Sequence, residues 1–121
     1  SVQNSKPDNV SINVDSRSTL LITEQSFEKW LAISGNISES TAKGYIRSIH
    51  YIEELFRTML GIESPLFGNI DKESTESLLK ALVHKQEYIL DNQVKHHRSS
   101  AALAKYIQFT GLAIDEPEEL T

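Results

Sequence analysis

The stretch from Ser38 to Leu60 constrains the fold more than any other, because it keeps one helical period over its whole length. Its large apolar residues follow at spacings of four, three, four and three, and they are Tyr45, Ile49, Ile52, Phe56 and Met59. This spacing places them on one side of an α-helix, which the rest of the chain must cover. The pattern predicts a long amphipathic helix at the centre of a helical domain.

A row of basic residues accompanies this apolar side. Lys43, Arg47 and His50 each stand two positions before a member of the apolar set. At about 100° per residue they project roughly to the opposite side of the helix. Glu53 and Glu54 follow, and we expect both to be solvated. The predicted basic surface is therefore confined to the first turns of the helix.

Cap signals and apolar spacing predict three further helices. The first runs from Glu24 to Ser34 behind an N-cap at Thr23. The third follows a cap at Asp71 or Ser74 and packs through Leu78, Leu79, Leu82 and Val83, with an extension to Tyr88 and Ile89 left open and Asp91 and Asn92 as the best break signals. The fourth runs from Ser100 to Phe109 and is stopped by Gly111.

These elements define the expected architecture. We expect an all-α class, a compact bundle of four main helices over residues 23–111. A flexible N-terminal arm, residues 1–22, precedes it, and an acidic tail or linker, residues 112–121, follows it. A chain of 121 residues is long enough to bury one core without disulfides.

Composition excludes several classes of protein. There is no cysteine, so disulfides and thiolate metal sites are ruled out. Apolar runs are four residues or shorter, against the roughly 20 that a membrane span needs. No signal-peptide pattern begins the sequence. We expect a soluble cytoplasmic protein with no membrane partner.

The formal net charge of −5 would ordinarily argue against nucleic acid. However, Asp115, Glu116, Glu118 and Glu119 supply four of these negative charges near the C-terminus. The remainder of the chain is nearly neutral, and a near-neutral domain can bind DNA through one basic face.

No catalytic or cofactor motif stands out. His84, His96 and His97 could in principle join Asp91 around a metal, but adjacent histidines lack the spacing that puts two ligands on one helical face. Ser99 and Ser100 match no nucleophile motif and are interpreted as helix caps. We expect no enzyme, cofactor, metal or small-molecule substrate, and a small enzyme using His96 or His97 is kept as an alternative.

Basic residues recur where helices begin. Lys43 and Arg47 lie in the first turns of the central helix, and Lys95 to Arg98 precede the fourth. Free amides at helix N-termini favour phosphate groups. If the two helix starts lie side by side, their cations would line one surface suited to a salt-sensitive grip on DNA. Ordinary solubilising charges, or a protein-interaction module that touches no DNA, are the alternatives.

The order of segments also resembles a known family. FEKWL, SESTAKGYIRSIHYIEELF, LFGNID, SLLKAL and HRSSAALAKYIQF resemble the SAM-like, N-terminal core-binding domain of tyrosine recombinases, the phage integrase family, over roughly Thr23 to Gly111. The resemblance implies a helical half of a C-shaped clamp around double-stranded DNA. It also implies that a separate domain supplies the catalytic residues, which this chain lacks. A similar helical domain precedes the catalytic parts of some restriction endonucleases, and it is the alternative within the DNA-binding class.

Carried over by position, the resemblance places the DNA contacts at the start of the second helix and at the last helix. The matching residues are Thr41, Lys43, Arg47, Lys95, Arg98, Ser99 and Lys105. Tyr45 is left out because its place in the apolar set predicts burial. The resemblance leaves room for a homo-oligomer on the DNA, and any base reading would come from Thr41 or Arg47.

Overall fold

The computed structural model describes residues 19–114. Its elements in chain order are β1 Thr19–Ile22, α1 Glu24–Ile33, α2 Glu39–Leu55, β2 Gly68–Asp71, α3 Lys72–Val83, α4 Gln86–Val94 and α5 Arg98–Thr110. One π-helical turn, Phe56–Leu60, continues α2 and ends at Gly61, which has the left-handed φ of 70°. The described residues are mostly helical, in agreement with the predicted class.

Three helices begin at the caps that local sequence predicts. The side chains of Thr23, Ser38 and Asp71 each accept a hydrogen bond from the backbone amide three positions further on. Each bond satisfies an amide that has no partner inside its helix. The Thr23 cap is confirmed, and of the two candidates for α3 Asp71 is the cap, while Ser38 caps α2.

The region predicted as one third helix is divided. α3 ends at Val83, and α4 begins after Lys85 and contains Asp91 and Asn92, the expected break signals. Asn92 does not break α4 because its amide oxygen accepts a hydrogen bond from another helix instead of competing for its own backbone. The described residues therefore hold five α-helices, and the prediction of four main helices needs this correction.

A small sheet joins the N-terminal side of the domain to its middle. β1 pairs with β2 in antiparallel register, with Thr19 opposite Asp71 and Ile22 opposite Gly68. The last four residues of the predicted arm are thus paired. The second strand, GNID, was not recognised because glycine, asparagine and aspartate are poor strand formers. Residues 1–18 of the arm lie outside the described part of the chain.

Packing also continues past the predicted C-terminal bound. Leu112 is buried, and the backbone amide of Ala113 donates a hydrogen bond to Glu76 Oε2 at 2.8 Å. Both residues were assigned to the tail by the sequence. The acidic residues 115–121 lie outside the described residues.

The core is centred on Phe27 of α1, which is fully buried. Its ring lies 6.0 Å from that of Tyr106, edge to face, and 5.4 Å from that of Phe109. Tyr106 donates its hydroxyl hydrogen to the backbone oxygen of Leu66, which ties the connector between α2 and β2 to α5. Burial raises the pKa of Tyr106, so it remains the donor.

The apolar side of α2 is rotated relative to the prediction. Ile49, Ile52 and Phe56 are fully buried, as expected, whereas Tyr45 and Met59 are only half-buried. Ala42, Ile46 and Leu55 complete the buried set. Because the helix packs mainly on α1 and α5, Tyr45 lies at the edge of the buried face. The adjoining side of α2 faces the turn between α4 and α5.

Candidate functional site

A cleft of about 630 Å³ lies between the N-terminal half of α2 and the turn that joins α4 to α5. The wall from α2 consists of Thr41, Gly44, Tyr45, Arg47, Ser48 and Tyr51. The opposite wall consists of Lys95, His96, His97, Arg98, Ser99 and Ala101. The two helix starts that the sequence singled out therefore line one concavity.

Five of the seven residues predicted to contact DNA line this cleft. Thr41 and Arg47 belong to one wall, and Lys95, Arg98 and Ser99 belong to the other. The structure thus brings together residues about 50 positions apart in sequence. Their contact with DNA stays a prediction.

The other two predicted residues do not line the cleft. Lys43 Nζ lies 3.7 Å from Glu28 of α1 and 3.5 Å from Glu39, so its charge is offset by two carboxylates. Lys105 lies on α5, two turns beyond Arg98. By position, Lys43 and Lys105 are therefore not among the cations that line the cleft.

Cations are in excess in the cleft. None of its lining residues is an aspartate or glutamate. Arg47 and Arg98 have no carboxylate within ion-pair distance among residues 19–114, whereas Arg57, outside the cleft, pairs with Glu54. Lys95 does have a partner, because its Nζ lies 3.1 Å from Asp91 Oδ1. Two guanidinium groups without an ion pair in the described part of the chain thus line a cavity that has no acidic lining residue, which suits an anion.

Lys95 is held by two neighbours. Its Nζ lies 5.0 Å from the centre of the Tyr51 ring, and Tyr51 donates its hydroxyl hydrogen to both carboxylate oxygens of Asp91, at 3.0 and 2.9 Å. Tyr51 and then Asp91 raise the pKa of Lys95, which keeps the ammonium charged. Asp91 offsets part of this charge, so the two arginines dominate the field of the cleft.

The turn that carries the second wall has an unusual backbone. His96 and His97 both adopt left-handed conformations, with φ of 58° and 62°, which residues with side chains rarely do. Asn92 Oδ1 accepts a hydrogen bond from the amide of Ser100 at 3.1 Å. The start of α5 is thus fixed by a side chain of the preceding helix.

This arrangement corrects the predicted caps of the last helix. The sequence indicated Ser99 and Ser100 as N-caps, but α5 already begins at Arg98 behind His97. Ser99 is buried, and the Ser100 hydroxyl donates back to the His97 carbonyl oxygen at 3.1 Å. The serines are not needed as caps because Asn92 already accepts from the first turn.

The same asparagine also contacts His97. Because the Ser100 amide must be a donor, the atom of Asn92 that meets it is oxygen, and the other amide atom is nitrogen. This Nδ2 lies 3.1 Å from His97 Nδ1, so Nδ1 accepts a hydrogen bond from it. Among residues 19–114 no group of three or more His, Cys, Asp or Glu side chains could hold a metal ion.

His50 does not belong to an exposed basic surface, because two carboxylates bind it. Its Nε2 lies 2.7 Å from Glu24 Oε2 and its Nδ1 lies 2.9 Å from Glu53 Oε1. Partial burial acts to lower the pKa of His50, but the hydrogen bonds and charges of Glu53 and Glu24 outweigh it and raise the pKa. Glu53 also accepts from the Leu66 amide at 2.6 Å, so its assignment to a solvated face was wrong.

Sequence reasoning missed several cleft residues, chiefly Tyr45, Ser48 and Tyr51. A signal was present, because Thr41, Gly44, Ser48 and Tyr51 recur at spacings of three and four and include no acidic residue. This spacing was overlooked because the basic residues Lys43, Arg47 and His50 are interleaved with it.

A scan against protein-family models, a search of curated proteins and a search of solved structures each found no match to this chain. Within the described residues no helix is both long and apolar enough to cross a membrane.

Proposed function

We propose that this domain binds double-stranded DNA through the cleft between α2 and the α4–α5 turn, as the core-binding domain of a tyrosine recombinase whose catalytic residues belong to a separate domain. One observation carries the proposal. Arg47 and Arg98 approach one cavity from two helices, and neither has a carboxylate partner among the described residues. Lys95 adds a third cation to the same surface.

The position of Arg98 supports a role in binding an anion. It is the first residue of α5, where the partial positive charge of the helix end disfavours a cation. A bound phosphate would reverse this effect, because it interacts favourably with both the guanidinium and the helix end. Arg98 is therefore better explained by a ligand than by the stability of α5.

The charge distribution of residues 19–114 fits this proposal, because no residue that lines the cleft is acidic and several carboxylates are paired elsewhere. Glu28 and Glu39 lie beside Lys43, and Glu24 and Glu53 lie beside His50. The recombinase and restriction-endonuclease alternatives would share this surface and differ in the attached catalytic domain.

Equilibrium titration of the whole chain with a fluorescent DNA duplex at several salt concentrations tests the proposal. Three phosphate contacts predict a slope of about −2.7 in log K against log salt, or roughly 40-fold weaker binding between about 50 and 200 mM salt. Arg47→Ala and Arg98→Ala should each reduce the slope by about one. Lys80→Ala removes an exposed lysine outside the cleft and serves as the matched control. No binding at low salt, or equal losses for all three variants, would refute the proposal.

A further inference from the structure

Ser99 is an unusual residue of the cleft. It is 1% exposed, and its hydroxyl has no hydrogen-bond partner within residues 19–114 although it lines the cavity. Ser99 Oγ is not among the described buried side-chain oxygens that lack a partner, so it reaches the cavity and not the core. Its neighbour Ser100 is fully used by the fold, through the Asn92 side chain and the His97 carbonyl oxygen. The Ser99 hydroxyl is thus available to a ligand.

Ser99 also lies at a helix end that favours anions. It is the second residue of α5, a helix of 13 residues. Its backbone amide has no acceptor among the described residues. The neighbouring amides of Arg98, Ser100 and Ala101 already have acceptors, so the Ser99 amide and the helix dipole together favour negatively charged oxygen at this point. The hydroxyl and the helix end are independent observations that point to the same chemistry.

Gly44 on the opposite wall has no structural reason to be glycine. A Cβ atom built there would meet only Arg47 Nη2, at 3.8 Å, so no neighbouring helix requires its absence. Glycine is unfavourable inside a helix, yet this one lies in the middle of a wall of the cleft. Its bare backbone leaves space that a ligand group can enter closely. Ser48, one turn further on, contributes a second hydroxyl without a partner in the described residues.

We infer that the cleft holds one phosphate group of a DNA strand between Ser99 and Gly44. The Ser99 hydroxyl donates to a phosphate oxygen, Arg47 and Arg98 neutralise its charge, and the missing side chain at Gly44 admits the sugar-phosphate chain. This inference rests on the proposed function, because it takes the phosphate to belong to DNA. It adds that Ser99 and Gly44 form a fixed binding site for one backbone phosphate, called the seat below. A phosphate contact carries no base sequence information.

Neutral substitutions in the seat test this inference separately from the charges. Ser99→Ala should weaken duplex binding about 3- to 10-fold, the range expected for one hydrogen bond, and Gly44→Ala should weaken it because the added methyl group fills the space that the phosphate enters. Neither removes a cation, so the slope against salt should stay that of the wild-type chain. Ser77→Ala, an exposed serine of α3 outside the cleft, is the matched control and should bind like the wild type.

The outcomes separate the seat from the function. If both seat variants bind like the wild type while Arg47→Ala binds weakly, the seat is wrong and DNA binding by the cleft stands. If the wild type binds no duplex at low salt, both fail. Circular dichroism and thermal unfolding check each variant, and Gly44→Ala carries the test should Ser99→Ala unfold, because its added Cβ has room.

Discussion

The side-chain oxygen of Asn92 accepts a hydrogen bond from the backbone amide of Ser100 at 3.1 Å, so α4 provides the cap of α5. The same side chain reaches His97 through its amide nitrogen at 3.1 Å. Asn92 is 5% exposed, and both of its side-chain polar atoms form hydrogen bonds within the domain. The wall of the cleft that carries Arg98 and Ser99 depends on this one residue for its position.

Asn92→Ala should lower the free energy of unfolding by about 1–3 kcal/mol, because it removes a cap and leaves the partly buried Ser100 amide without an acceptor. Urea denaturation measures this loss, and hydrogen exchange at the Ser100 amide should become faster. Gln93→Ala changes an exposed neighbour on the same helix and should cost far less. Equal stabilities of the two variants would contradict the role given to Asn92.

The comparison of caps shows what sequence could predict about the fold. Thr23, Ser38 and Asp71 bond to amides three residues away, so their roles follow from local sequence. Asn92 bonds eight residues away across a turn whose left-handed residues carry no glycine signal. Its role depends on how α4 and α5 pack, and a local pattern cannot reveal it.

The candidate site follows the same division. Arg47 and Lys95 to Arg98 were predictable as a group because both segments stand at helix starts. Lys43 belonged to the same pattern, but packing places Glu28 of α1 beside it, 3.7 Å away. Tertiary contacts decide which cations remain without an ion pair. The helical period of the sequence predicts only the side of the helix on which each side chain lies.

Stability should depend on pH through His50. Its pKa is raised in the folded protein by Glu53 and Glu24, despite partial burial. This contribution is fully present below the unfolded value of 6.5 and is lost as pH rises through the higher folded value. The stability difference between wild type and His50→Gln should therefore shrink between about pH 6 and pH 8.5.

Urea denaturation at both pH values measures this difference. His84→Gln removes an exposed histidine with no ion pair in the described residues and controls for the general effect of pH. A difference between wild type and His50→Gln that stays constant over this range would show that the two glutamates do not stabilise protonated His50.

Lys43 and Arg47 should behave differently, although both were predicted to contact DNA. Arg47 has no carboxylate partner and lines the cleft, whereas Lys43 lies between Glu28 and Glu39 outside it. Arg47→Ala should reduce the salt slope of duplex binding by about 0.9, and Lys43→Ala should leave the slope close to that of the wild type. Fluorescence anisotropy at several salt concentrations measures both slopes. Equal changes of slope for the two variants would show that Lys43 contacts DNA as Arg47 does.

Gly44→Ala should stabilise the free protein. Alanine is favoured over glycine inside a helix by about 0.5–1 kcal/mol, and the added Cβ meets only Arg47 Nη2, at 3.8 Å. Gly35→Ala is the matched contrast, because a Cβ there would lie 2.9 Å from the Leu31 backbone oxygen and 3.1 Å from Ile37 Cδ1. Thermal unfolding should therefore shift up for the first variant and down for the second. A destabilised Gly44→Ala would mean that the fold itself needs this glycine, and the space beside it would no longer point to a ligand.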